Sequence, residues 1–221
     1  KIPLEAHVRL ALNNVSLAGN EPEENQPASF LDQLKIEGLG YVTDVDLKDN
    51  DLKISGKLNF GKVFNKEMLG DTWLEPEFNY QYAIADWNKL VFEKHEFAIK
   101  NRGASHTLSG RIEGLKPFIT KKAGLTPAEM VNRLDIGLIS ALQLKIDQNM
   151  ALTKNLKADG ALSSRQSLSL VPGKEIVLDG EIGFDKFNAS LEPSVKVNGV
   201  VGRFPFNKKY LLNKKSLVTA Q

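Results

Sequence analysis

The side chains able to act as bases, nucleophiles or metal ligands are few and scattered. There are three histidines, His7, His95 and His106, and no cysteine. Without cysteine there are no disulfides, thiol nucleophiles, thiolate zinc sites or iron–sulfur clusters. The histidines lie far apart, and none has a second histidine or a carboxylate at the spacing of a recognisable metal motif. Gly103-Ala104-Ser105-His106 places a serine beside a histidine, but it lacks the flanking glycines of a nucleophile elbow. A serine nucleophile also needs a base and a group to orient that base. The pairs Asp44 and Asp46, and Glu75 and Glu77, are spaced i, i+2. On a strand this puts each pair on one face, where solvated carboxylates are the ordinary outcome. The acidic group Asp44, Asp46, Asp49 and Asp51 lacks the spacing of a calcium-binding loop. The expectation is therefore no catalytic residue, no metal, no cofactor and no enzyme.

Charge and aromatic content point to other classes of binding. Net charge is +2, from 29 basic and 27 acidic residues, which is too balanced for a dedicated nucleic-acid surface. Trp73, Phe78, Tyr80, Tyr82 and Trp87 concentrate aromatic rings in a short segment. Such a cluster could stack on a sugar or line a lipid site, or it could be the buried face of one strand. Lys208, Lys209, Lys214 and Lys215, near the end, suit contact with an anionic membrane surface or a solvated tail.

These residues must be positioned by strands. A pattern of apolar, polar, Gly, polar, apolar recurs as Ile54-Ser55-Gly56-Lys57-Leu58, Leu108-Ser109-Gly110-Arg111-Ile112 and Leu178-Asp179-Gly180-Glu181-Ile182. Val197-Asn198-Gly199-Val200-Val201 is a looser copy. The period of two puts the apolar ends and the glycine on one face of a half-buried strand. Alternation predicts a first strand from Ile2 to Leu12, with a bulge near Asn13-Asn14 before Val15 and Leu17. Gly19 to Gln26 reads as a loop and Pro27 to Leu34 as a short helix. Leu39 to Leu47 and Leu52 to Phe60 form a long hairpin joined by the four residues Lys48-Asp49-Asn50-Asp51. Asn65 to Leu69, closed by Gly70, reads as one helical turn.

Further strands are predicted at Phe78 to Ile84, Leu90 to Ile99 and Ser105 to Leu115. Thr126-Pro127-Ala128-Glu129 is a capping box that starts a helix, with a stripe of Met130, Val131, Leu134 and Leu138. Residues Leu138 to Ile146 fit either its end or a strand. The last third reads as strands at Leu142 to Ile146, Met150 to Leu156, Ser167 to Val171, Glu175 to Phe184, Phe187 to Leu191 and Val195 to Val201. Asp159-Gly160 and Pro172-Gly173 read as turns, and the tail from Asn207 as a loose end or final strand.

The expected fold is mainly β: long, antiparallel, strongly curved sheet or sheets, barrel-like, tubular or sandwiched, with one or two short helices including the one at Thr126. The expected organisation is one elongated domain, 1–221, or two β halves, 1–125 and 126–221. A membrane barrel is disfavoured, because its aromatic girdles are absent from the pattern. No stretch of roughly 18 apolar residues is present to span a bilayer as a helix. The first residue is Lys1, which reads as a mature exported protein or a trimmed chain.

The segments ISGKL, LSGRI and LDGEI, set in alternating strands, resemble the repeats of periplasmic AsmA/TamB-type proteins. The plan of strands plus one amphipathic helix resembles tubular lipid-binding (TULIP) proteins, including bacterial export-lipoprotein versions. That resemblance implies an apolar β-sheet groove that binds or moves a lipid or other apolar small molecule in the periplasm or cell envelope. The expected ligand-lining residues are Ile54, Leu58, Phe60, Phe78, Tyr80, Tyr82 and Ile84. The alternative is a structural or adhesive surface module with a filled core, whose loops bind protein or glycan.

Overall fold

A computed structural model of the chain describes residues 4–19, 33–119, 126, 129, 132–151, 156–191, 195–213 and 216–220. The alternating segments form strands β1 (Glu5–Ala18), β2 (Leu34–Lys48), β3 (Asp51–Asn59), β4 (Lys62–Asn65), β5 (Pro76–Ala85) and β6 (Lys89–Ile99). They continue as β7 (Ala104–Glu113), β8 (Asp135–Ala151), β9 (Leu156–Val171), β10 (Glu175–Leu191), β11 (Val195–Asn213) and β12 (Ser216–Ala220). All twelve lie in one sheet, ordered β1-β2-β3-β5-β6-β7-β8-β9-β10-β11-β12, with β4 paired to the far end of β2. Every described pairing is antiparallel, and apart from the β4 side pairing the order follows the chain.

The strand content agrees with the expectation, but the expected barrel-like closure and strong curvature do not appear: the sheet is not strongly curled. The sheet is not closed; β1 and β12 end its strand order. Each strand pairs with the next one available, and among the described residues no pairing joins β12 back to β1.

The hairpin between β2 and β3 is tighter than expected. Lys48 pairs with Asp51, which leaves a two-residue turn, Asp49-Asn50. Asp49 takes φ 53° there, a conformation that Asp and Asn tolerate. The bulge in β1 falls where the parity switches: Leu12 faces Tyr41 and Val15 faces Leu39, with Asn14 at φ 52°. Asp159-Gly160 is not a turn. It lies inside β9, opposite a bulge of β10 around Asp185 and Lys186.

Two short helices have their whole range among the described residues, α1 (Lys66–Leu69) and α2 (Lys116–Ile119). Asn65 caps α1 by accepting from the Met68 N–H, and Gly70 closes it. The expected capping box at Thr126 forms: the Thr126 N–H donates to Glu129 Oε2 at 2.8 Å, and the Glu129 N–H donates to Thr126 Oγ1 at 3.3 Å. The apolar stripe does not stay helical, however. Asn132 and Arg133 are in a turn, and Leu138 lies in β8, so the strand reading of Leu138 to Ile146 holds. The tail from Asn207 continues β11 and then forms β12. Of the loop expected from Gly19 to Gln26 and the helix expected from Pro27 to Leu34, residues 20–32 lie outside the described residues, as do Met130, Val131, Lys214 and Lys215; Leu34 is not helical but opens β2, where it pairs with Asn65.

One side of the sheet carries the charges. Glu77 is its most buried carboxylate, with Oε2 2.6 Å from Lys57 Nζ and 2.7 Å from Lys100 Nζ. Hydrogen bonds from Lys100 and Lys57 hold its pKa at about 2, well below the usual 4.5. A carboxyl whose pKa is depressed by folding stabilises the fold above its unfolded pKa, and loses that contribution as pH falls from 4.5 toward 2. The full shift corresponds to about 3 kcal/mol, and exposure of the lysine ends lowers this toward about 1–2 kcal/mol. Glu77→Gln is expected to lower the unfolding free energy at neutral pH, read from urea titrations, by that amount. The gap to the parent should close as the pH is brought down to about 2.

Candidate functional site: an uncovered apolar face

Residues directly opposite each other in an antiparallel pair project to the same face. The register therefore shows which side chains lie together. One row crosses ten strands as Ala6, Leu47, Leu52, Ile84, Leu90, Ile112, Ile136, Leu170, Ile176 and Tyr210. The adjacent row runs Val8, Val45, Ile54, Tyr82, Phe92, Gly110, Leu138, Leu168, Leu178 and Lys208. A third runs from Leu12 through Tyr41, Leu58, Phe78, Phe97, His106 and Leu142 to Ser164, Ile182 and Phe204. At the usual strand spacing, ten strands make each row roughly 45 Å long.

These rows form a face of nearly uniform chemistry. Lys208 is the one Lys, Arg, Asp or Glu that the described pairings place on it; the others project from the opposite side. No described helix or second sheet covers the face. The buried apolar residues are Ile36, Leu69, Ala158 and Leu170, whereas Leu10 is 54% exposed and Phe204 53%. The chain exposes 14978 Å², about half as much again as the roughly 10,000 Å² of a compact monomer of this mass. An apolar face left uncovered across the width of a sheet marks a surface for a ligand or partner.

Aromatic rings concentrate where β5 crosses the face. Phe78, Tyr80 and Tyr82 stack along the strand, with centroids 5.2 Å and 5.6 Å apart. Phe92 meets Tyr82 edge-on at 5.4 Å, and His95 meets Phe78 edge-on at 4.9 Å. Two glycines of the repeated pattern, Gly56 and Gly180, do not leave this surface open. A Cβ at Gly56 would lie 2.5 Å from the Tyr80 hydroxyl, and one at Gly180 2.7 Å from the Phe206 ring. At both positions an aromatic ring from the neighbouring strand occupies the space above the glycine.

A polar cluster interrupts the apolar rows. Tyr80 donates its hydroxyl proton to Tyr41 Oη at 3.1 Å. The Tyr82 hydroxyl lies 2.7 Å from His95 Nδ1, and His106 Nε2 lies 2.9 Å from Ser140 Oγ. The His95 and His106 rings stand edge-to-face with centroids 6.0 Å apart. Burial pushes the Tyr80 and Tyr82 phenols up, so both stay protonated at neutral pH. Burial, and then the proximity of His106, push His95 below the ordinary histidine range, so it too is neutral at pH 7.

Ile54, Leu58, Phe78, Tyr80, Tyr82 and Ile84 all fall on the apolar face, each half-buried. Phe60 lies one residue beyond the end of β3, where its N–H donates to the Pro76 carbonyl. Ser105 and His106 are successive strand residues and project to opposite faces, so they cannot act as a pair. His106 instead meets Ser140, but no carboxylate stands on that face to orient the imidazole. His7 lies on the charged face, 2.6 Å from Asp46. Trp73 is on that side as well, tilted against Phe64 at 6.2 Å. Two features were missed in the sequence. One is the meeting of His95 and His106; the other is a second aromatic group, Phe184, Phe187 and Phe204, with centroids 5.7 Å and 5.8 Å apart. Alternation assigns each residue to a face, but only the register says which residues become neighbours.

Shallow clefts occur elsewhere. One, lined by Lys157, Asp159, Asn188, Lys196 and Asn198, is polar. Another, lined by Ile139, Arg165, Asp179 and Glu181, opens on the charged side. Among the described residues, no three histidines or carboxylates are grouped to hold a metal ion. Comparison with protein-family models, curated proteins and solved structures gives no match to this chain.

Proposed function

We propose that the protein is a non-enzymatic binder or carrier of lipid, holding acyl or other apolar chains against the uncovered face of its sheet. The observation that carries this is the pair of adjacent apolar rows crossing ten strands with nothing described above them. Such rows run perpendicular to the strands, so a long chain laid along them stays in apolar contact over its whole length. The bulges in β1, β6 and β10 support a curved, groove-like sheet, because each one bends its strand and increases the local twist. The resemblance of ISGKL, LSGRI and LDGEI to AsmA/TamB-type repeats supports a setting in the periplasm or cell envelope.

Titration of the purified protein with a fluorescent fatty acid tests the reading. Saturable binding, displaced by unlabelled fatty acid, is expected. A flat titration that stays flat with longer acyl chains would remove the proposal.

A further inference from the structure

The polar cluster is the one interruption of the apolar face with two polar atoms left over. Tyr82 engages His95 through Nδ1, and Ser140 engages His106 through Nε2. No described hydrogen bond takes His95 Nε2 or His106 Nδ1. The two rings come from neighbouring strands, β6 and β7, and stand 6.0 Å apart. The groups around them on that face are Tyr80 and Tyr82 from β5 and Ser140 and Leu142 from β8. None of these carries a charge at neutral pH. The nearest carboxylates on β6 project the other way: Glu93 bonds to Gln81, and Glu96 stands opposite Asn79.

Resting on the lipid reading above, we propose that His95 and His106 form the headgroup station of the face, taking the phosphate or carboxylate of a single-chain acidic amphiphile whose tail lies along the apolar rows. Two imidazoles can donate two hydrogen bonds to an anion, and no acidic residue on that face competes. An anion bound there favours protonated over neutral imidazole, so affinity rises as pH falls. Tyr82 and Ser140 are positioning residues that fix which ring nitrogens remain available.

The test compares three probes, dodecyl phosphate, dodecanol and inorganic phosphate, by titration calorimetry. Dodecyl phosphate is expected to bind at least ~10-fold more tightly than dodecanol at about pH 6, with the preference shrinking toward about pH 8. In the double variant His95→Phe, His106→Phe the preference should vanish while dodecanol affinity stays. The phenylalanines keep the ring packing, and far-ultraviolet circular dichroism verifies the fold. Equal affinity for the two amphiphiles in the parent, or a preference that survives the double variant, overturns the headgroup station and leaves the apolar-face reading standing. Inorganic phosphate binding as tightly as dodecyl phosphate also overturns it, in favour of a free-anion site. Failure of both amphiphiles to bind sinks the apolar-face reading, and this inference with it.

Discussion

Leu138→Glu is expected to weaken fatty-acid binding at least ~10-fold, while Ile139→Glu, one residue along the same strand, leaves it within about 2-fold. The two positions isolate the role of the face. Leu138 stands between Gly110 and Leu168 in the middle of an apolar row. Ile139 pairs with Ser109 and Ser167 on the charged side and is already 43% exposed. A carboxylate at 138 either lies desolvated under the bound chain or keeps the chain away to retain its water, and either costs at least about 1.4 kcal/mol, a factor of ten. Both positions are strand residues with part of the side chain in water, so unfolding free energies from urea titration should move by no more than about 1 kcal/mol. Equal losses at 138 and 139 would mean that binding does not distinguish the two faces.

Gly110→Ala is expected to be the most damaging small substitution in the central sheet, and Gly137→Ala to be neutral or stabilising. Gly110 sits at φ 130°, where a side chain is strained. A Cβ there would also run into the backbone carbonyl of Gly137, inside van der Waals contact. The strain costs about 1–3 kcal/mol, and the collision must push β7 away from β8, so a total above about 3 kcal/mol or failure to fold is expected. Gly137 has ordinary backbone geometry, and a methyl group added there would meet nothing within 4 Å. Alanine there restricts the unfolded chain and gains up to about 1 kcal/mol. Denaturant unfolding of both variants measures the contrast. If Gly110→Ala is as stable as the parent, the glycine of the repeated pattern has no backbone role at this position.

Much of the fold was legible because strand period and burial coincide in this chain. The switch of parity at Asn13-Asn14 marked the β1 bulge, and Asn65 with Gly70 marked both ends of α1. Of the stripe, Leu138 belongs to β8 rather than to a helix, because an apolar residue at helical spacing also suits the alternation of a strand with Ile136 and Leu138 on one face. Asp159-Gly160 has turn composition, but in β9 it accommodates a bulge on the next strand, which no local signal reveals. Closure was not legible either. Amphipathic alternation is the same in a barrel, a sandwich and an open sheet, and it does not say whether the first and last strands pair. The apolar site residues could be read from alternation around Ile54 and Tyr80. The meeting of His95 with His106 could not, since it depends on how β6 and β7 align across a bulge.

The measurement that tests the central claim most directly pairs native mass spectrometry of the purified protein with mass spectrometry of its organic extract. The expected result is a stoichiometric lipid or fatty acid on the folded chain, recovered in the extract, and lost in Leu138→Glu but retained in Ile139→Glu. A bare polypeptide mass that takes up no added lipid would contradict the claim, and would mean that the apolar face serves contact with protein instead.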